Sequence, residues 1–285
     1  MAKQFTWGEG VAYTFKTRTK WRKGNGRKPA LTNTGHFTRL RGLSFPCTKI
    51  TQPILTQLGI ELEDEGKSDG TINRVISAVS TVLNHCASED LIPSPPRFKR
   101  REEHEGRPQF YSKDQVDSML HACIDPFMRE DIADIIHVAA YTGMRQGELL
   151  KLKVKDIDLG LNVIHVGGRP DVLTKAHNYR TVPIHERIHS LLHKRLEHAS
   201  PSVRVFDDWS NKDQLLRAFA KVRRYVGIDE GHCFHSLRHS FATWHVEAGT
   251  PLRVLMELMG HKRIETTLRY AKVTSSAAQS AMGAI

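Results

Sequence analysis

Between Thr71 and Asn84 the apolar residues Ile72, Val75, Ile76, Val79, Val82 and Leu83 recur every three or four positions. On a helix of 3.6 residues per turn that spacing draws one apolar stripe. A single stripe needs partners to cover it, so a helical bundle is expected over residues 32–106. The run Ile92-Pro93-Ser94-Pro95-Pro96 ends the helical patterning, because proline has no amide donor and cannot extend a helix, and Arg97 to Arg107 reads as a charged connector. Beyond it, Ser112 and Gln115 stand at capping-box spacing and start a helix through Met119 and His121. Helical patterns then alternate with short strand-like pieces at Val163–Val166, Arg180–Ile184 and Val203–Phe206. The expected fold class is mainly α: a small helical domain, then a mostly helical mixed α/β domain over 107–285 with a small sheet and a C-terminal tail.

Upstream of the bundle the period changes. The odd positions Val11, Tyr13, Phe15, Thr17, Thr19 and Trp21 alternate with Lys16, Arg18 and Lys20 among the even ones. Period two with β-branched and aromatic residues predicts a strand with one cationic face, and Gly24-Asn25-Gly26 is a turn signal. Residues 1–31 thus read as a basic N-terminal arm that contacts DNA, or as a basic tail.

Charge bears on the choice of partner. The chain carries 42 Lys and Arg against 31 Asp and Glu, a formal +11, which favours a polyanion. Residues 1–45 hold ten of those cations and one acid, Glu9, so most of the excess lies in the first sixth of the chain. Lys16, Arg18, Lys20, Arg22, Lys23, Arg27 and Lys28 are therefore candidate DNA contacts. The four cysteines, Cys47, Cys86, Cys123 and Cys233, show no paired spacing, which argues against a disulfide framework and a thiolate zinc site and fits a reducing cytoplasm. Met1-Ala2-Lys3-Gln4 leads into no apolar signal, and no stretch approaches the roughly eighteen apolar residues of a membrane span. No membrane partner is expected.

The candidate chemistry lies near the C-terminus. Tyr270 stands nine residues after His261 in the run Met259-Gly260-His261, and upstream is His235-Ser236-Leu237-Arg238-His239. A phenol is a poor nucleophile near neutral pH, so it needs cations to bind the target oxygens and acid/base groups beside it. His235 and Arg238, three apart, share a face of a helix or helix start. Arg145, in Thr142-Gly143-Met144-Arg145-Gln146-Gly147-Glu148, offers a second guanidinium fork. Two arginines on one phosphate would stabilise the charge that builds on its non-bridging oxygens during attack. Gly260 is placed to end a helix that Thr250 caps and Pro251 begins. His185-Glu186-Arg187-Ile188-His189 satisfies the zinc-protease pattern H-E-x-x-H, with His193 one turn further on. Three histidines at i, i+4 and i+8 span about 12 Å, too far for one ion, so a polar helix face is the preferred reading.

The segments around Arg145, His235 to His239 and His261 to Tyr270 together resemble the tyrosine recombinases, the phage integrases and chromosome-dimer resolving enzymes. The resemblance covers roughly residues 32–275. It implies a helical core-binding domain whose helix Thr71-Ile72-Asn73-Arg74 brings Asn73 and Arg74 to DNA, followed by a catalytic domain with a small antiparallel sheet. It implies Tyr270 as nucleophile forming a 3′-phosphotyrosyl link, Arg145 and Arg238 as phosphate clamp, and His261 bonding the phosphate. His235 would accept or shuttle the tyrosine proton. Lys175, in Leu173-Thr174-Lys175 before Tyr179-Arg180-Thr181-Val182-Pro183, would protonate the departing 5′ hydroxyl. No cofactor or metal is called for. The implied partners are double-stranded DNA attachment sites, a homotetramer on synapsed DNA, and an accessory DNA-bending or directionality factor. The rivals are a type IB topoisomerase, a DNA-binding protein that has kept the fold without catalysis, and a zinc hydrolase at His185 and His189.

Overall fold

The computed structural model describes residues 4–103, 108–167 and 179–271. The chain divides into two compact units, Met1–Glu105 and Gly106–Ile285. Among the described residues no helix is long and apolar enough to cross a membrane.

The first unit is all helical: α1 (Trp7–Thr17), α2 (Thr19–Arg22), α3 (Arg27–Arg41), α4 (Gln52–Asp64) and α5 (Asp69–Ala87). The stripe on α5 is buried along its length, from Ile72 to Leu83, and α5 packs against α1, α3 and α4. Where a strand is expected from Val11 to Trp21, the chain forms α1 and α2 instead. The reason lies upstream of the alternation. Thr6 and Glu9 form a capping box, with the Thr6 amide donating to Glu9 Oε2 at 2.8 Å and the Glu9 amide to Thr6 Oγ1 at 3.3 Å. Buried positions then fall at Trp7, Gly10 and Thr14, a helical spacing. The lone acid of the basic N-terminal segment is thus a helix cap.

Trp7, Trp21 and Ala30 share one core with Ile72, Val79 and Leu83 of α5, and α3 runs across residue 31. Truncating a buried tryptophan costs about 3–5 kcal/mol, so these residues hold the unit together. Asn73 also departs from expectation. It is 4% exposed, its amide nitrogen donates to the Arg101 carbonyl at 2.9 Å and to Glu103 at 2.8 Å, and its oxygen accepts the Arg101 amide at 2.9 Å. Its buried side chain fastens the extended segment after α5. Arg74, one position on, is exposed.

The second unit comprises α6 (Lys113–Ile124), α7 (Glu130–Thr142), α8 (Gln146–Leu149), β1 (Ile157–Asp158), β2 (Val163–Val166), β3 (Arg180–Pro183), α9 (Glu186–Leu196), α10 (Lys212–Tyr225), α11 (Ser236–Glu247), α12 (Leu252–Met259) and α13 (Glu265–Ala271). Ser112 caps α6 through the expected box with Gln115. The three strands form an antiparallel sheet in order β1-β2-β3, with Ile164 opposite Val182. Val203–Phe206, expected as a strand, makes a single bridge, Arg204 to Lys153, beside the short 3-10 turn at Val154–Asp156. The two-residue strand β1, too short to leave an alternation in the sequence, pairs with β2 instead.

Helix α7 is buried on most sides and packs against α6, α9, α10 and α11. It ends at Gly143, whose φ of +60° is left-handed and where a Cβ would stand 2.5 Å from the Phe241 ring. Gly143→Ala is therefore expected to lower stability through two mechanisms. The left-handed backbone costs roughly 1–2 kcal/mol and the overpacking roughly 1–3 kcal/mol. A fall in the denaturant midpoint at unchanged slope would register it.

Candidate active site

Helix α11 carries the centre of the site. Its start is anchored by Tyr111, whose amide donates to Ser240 Oγ at 2.8 Å, whose carbonyl accepts Trp244 Nε1 at 3.2 Å, and whose hydroxyl donates to the Cys233 carbonyl at 3.2 Å. His235 occupies the N-cap position and is exposed. Arg238, one turn in, is 3% exposed. Its two terminal nitrogens donate to the carbonyls of Gly143 and Met259, each two residues before Arg145 and His261 respectively. The sequence thus places a buried guanidinium between the other two motifs. Burial, with the charges of Arg145 and Arg180, lowers the Arg238 pKa to about 10, still cationic at neutral pH.

Arg145 follows the left-handed turn at Gly143 and is solvent-exposed. Its guanidinium donates to Glu148 Oε1 at 3.0 Å and to the Gly260 carbonyl at 3.4 Å. Glu148 in turn accepts both terminal nitrogens of Arg180, at 3.1 and 2.8 Å, and Arg180 Nε donates to the Leu258 carbonyl at 2.8 Å. Burial alone would push the Glu148 carboxyl up; the two arginines overcome it and hold the pKa at about 2. Glu148 is therefore a fixed anion that orients the exposed Arg145. Arg180 joins the first residue of β3, the α8 turn and the end of α12. Sequence reasoning leaves Glu148 and Arg180 only as neighbours of the motifs; the informative signal is a strand-start arginine at a position that proves buried.

His261 follows Gly260, which ends α12 at φ +63° as expected; the helix itself begins one residue later than Pro251, its N-cap. His261 Nδ1 lies 2.9 Å from Thr267 Oγ1, so Nε2 is the nitrogen left for a ligand. Burial and the charges of Arg238, Arg145 and Arg180 lower its pKa to about 4, which keeps the ring neutral and able to donate one N–H. The His261 ring is parallel to Tyr270, with centroids 6.4 Å apart.

Tyr270, on α13, is 2% exposed and sits among Phe241, Ala242, Leu255 and Met259. Its hydroxyl lies 2.7 Å from His239 Nδ1. His239 is one turn from His235 on α11, and the two rings meet edge to face at 4.9 Å. The family resemblance assigns the tyrosine proton to His235; the residue in contact is His239, which shares that helix face by its i+4 spacing. Burial raises the Tyr270 pKa, with Arg238, Arg269 and Arg145 opposing. A cavity of about 610 Å³, lined by Arg145, Arg180, Gly260, His261 and Lys262, opens beside this cluster.

Lys175 lies outside the described residues. His185 is the N-cap of α9, its Nδ1 accepts the Arg187 amide at 3.2 Å, and its ring packs on Tyr141, so it does not share the helical face of His189. Among the described residues no group of three or more His, Cys, Asp or Glu could hold a metal ion.

These segments match the phage integrase family over residues 109–277. The chain is 26% identical over 263 residues to the tyrosine recombinase XerD of Oceanobacillus iheyensis, covering 87% of this chain and 86% of that protein. It is 32% identical over 212 residues to the tyrosine recombinase XerA of Saccharolobus solfataricus, covering 74% and 66%. Its fold is similar to that of the Tn1549 transposon integrase in complex with transposon right end DNA, with a TM-score of 0.76, 20% identity and 99% of each chain covered. It is similar also to a lambda integrase dimer bound to a core site, at TM-score 0.73 and 17% identity over 94% of this chain and 77% of that one. The chain belongs to the phage integrase family, and the resemblance to tyrosine recombinases is borne out.

Proposed function

We propose that this protein is a site-specific DNA recombinase that cuts and rejoins attachment sites through a 3′-phosphotyrosyl link, integrating or excising a phage or genomic island. The observation that carries this reading is the gathering of Arg145, Arg238, His261 and Tyr270, from four separate segments, around one point. Geometry supports the roles proposed for Arg145, His261 and Arg238, and the family resemblance supports that of Lys175. Arg145, exposed and oriented by Glu148, grips the phosphate, and His261 donates to it through Nε2. Arg238 holds the two flanking segments in register and adds positive charge from beneath. Lys175 protonates the departing 5′ oxygen. The covalent link conserves the phosphodiester's free energy, so rejoining needs no nucleotide.

The further parts of the reading concern assembly and setting. Recombination joins two duplexes, each cut on both sides of a core, which calls for four protomers on synapsed DNA in the cytoplasm, with an accessory factor setting direction. The test is strand exchange: two duplexes carrying a site selected by covalent capture should yield recombinant products. Relaxation of supercoiled plasmid without exchange would instead favour the topoisomerase reading.

The first unit supplies DNA affinity in this account. Deleting its N-terminal residues would remove Trp7 and Trp21 from the core, so the informative change is charge alone. Lys16, Lys20, Arg22 and Lys23 are exposed on α1, α2 and the turn that follows. Changing all four to Gln should lower the slope of log affinity against log salt, by roughly 0.9 for each phosphate that a cation no longer neutralises. Titrations at several salt concentrations would read it. An unchanged slope would show that the cations do not touch DNA.

A further inference from the structure

We infer that His239 is the catalytic group that takes the proton of the Tyr270 hydroxyl as it attacks DNA. The inference rests on Tyr270 being the nucleophile. It is carried by the 2.7 Å contact between the Tyr270 hydroxyl and His239 Nδ1. A general base must lie within hydrogen-bond reach of the proton it removes, and His239 meets that condition. His235, the other histidine on this face, is exposed and touches the His239 ring edge to face.

The setting suits the role. His239 is half-buried on a regular helix turn, so its ring is held by packing rather than by a loop. The groups facing it are His235 and Arg238 from α11, His261 from the turn after α12, and Arg269 and Tyr270 from α13. Burial and these neighbours lower its pKa to about 4, so the ring is neutral, and in the tautomer with its proton on Nε2 it accepts the phenolic O–H at Nδ1. A DNA phosphate seated against Arg145 adds negative charge beside the ring. That raises its basicity just as the tyrosine proton must leave.

The step balances. The Tyr270 oxygen forms a bond to phosphorus while the bond from phosphorus to the 5′ oxygen breaks. The phenolic proton moves to His239 Nδ1, and the 5′ oxygen leaves with a proton from the general acid, a role the family resemblance gives to Lys175. Rejoining runs the same transfers backwards, with His239 returning its proton to Tyr270.

The experiment measures single-turnover adduct formation on a nicked duplex of the selected site, across pH, for His239→Asn, His239→Ala and His235→Asn. Asparagine keeps an acceptor near the Nδ1 position but cannot take a proton, so it separates positioning from base catalysis. His239→Asn and His239→Ala are both expected to slow adduct formation by about 10²–10⁴-fold at neutral pH, with rates that climb about tenfold per pH unit. Wild type and His235→Asn should stay flat over that range, and added imidazole should partly restore His239→Ala. DNA binding and the melting temperature of His239→Asn should stay near wild type. A His239→Asn rate within about threefold of wild type, or a pH slope that appears in His235→Asn instead, overturns the assignment. Tyr270→Phe is run alongside: an adduct from that variant overturns the nucleophile reading itself, whereas its loss with an active His239→Asn overturns only the role of His239.

Discussion

Tyr270→Phe is expected to abolish the covalent DNA adduct while leaving site binding close to wild type. Losing a nucleophile that works as part of a unit costs on the order of 10⁶ in rate, below detection in a trapping assay. The fold should tolerate the change, because the phenyl ring still fills the pocket formed by Phe241, Leu255 and Met259. What disappears is the hydroxyl and its hydrogen bond to His239, worth about 1 kcal/mol. Gel electrophoresis of a nicked duplex after denaturation measures the adduct, and a mobility shift measures binding. An adduct from the phenylalanine variant would remove Tyr270 from the chemistry.

Arg145→Ala carries the second large effect. Removing one preorganised donor to a developing oxyanion typically costs about 10²–10³ in rate, and Arg145 is the exposed member of the arginine pair. Its removal leaves Glu148 still paired with both terminal nitrogens of Arg180, so no buried anion is orphaned. The melting temperature should therefore change little while cleavage falls. Arg145→Lys should recover only part of the rate, because an ammonium lacks the planar fork that spans two phosphate oxygens. Single-turnover cleavage of a prebound site reads both variants. Arg238→Ala would be a poorer probe, since it also releases the carbonyls of Gly143 and Met259.

Much of this architecture is legible in the sequence because its signals are local. The α5 stripe, the Ser112 and Gln115 cap, and the glycine that ends α12 each depend on residues within one or two turns. What fails depends on where the window is set or on what lies far along the chain. The residues from Val11 to Trp21 alternate like a strand, but the cap that commits them to a helix, Thr6 with Glu9, stands outside that window. Asn73 reads as a helix-surface contact because its partners, Arg101 and Glu103, lie some thirty residues later. Val203–Phe206 has strand composition, yet it meets Lys153 at only one bridge.

The site divides in the same way. Arg145, Arg238, His261 and Tyr270 are legible as motifs, and the chain brings them together. The support beneath them is not, because it is a matter of tertiary contact. Arg180 reaches Glu148 from 32 residues away and Leu258 from 78 residues away. The hydrogen-bond partner of Tyr270 is His239, one helical turn from His235. His235 and His239 share a face, and nothing in their spacing says which ring meets a tyrosine 31 residues after His239.

The most direct measurement is the identity of the protein–DNA bond. Adduct trapped on a nicked duplex, digested with trypsin and nuclease and sequenced by mass spectrometry, should give the peptide Tyr270-Ala271-Lys272 with a nucleotide on the tyrosine oxygen through its 3′ phosphate. A nucleotide joined through its 5′ phosphate, carried on another residue, or absent while cleavage proceeds would contradict the account.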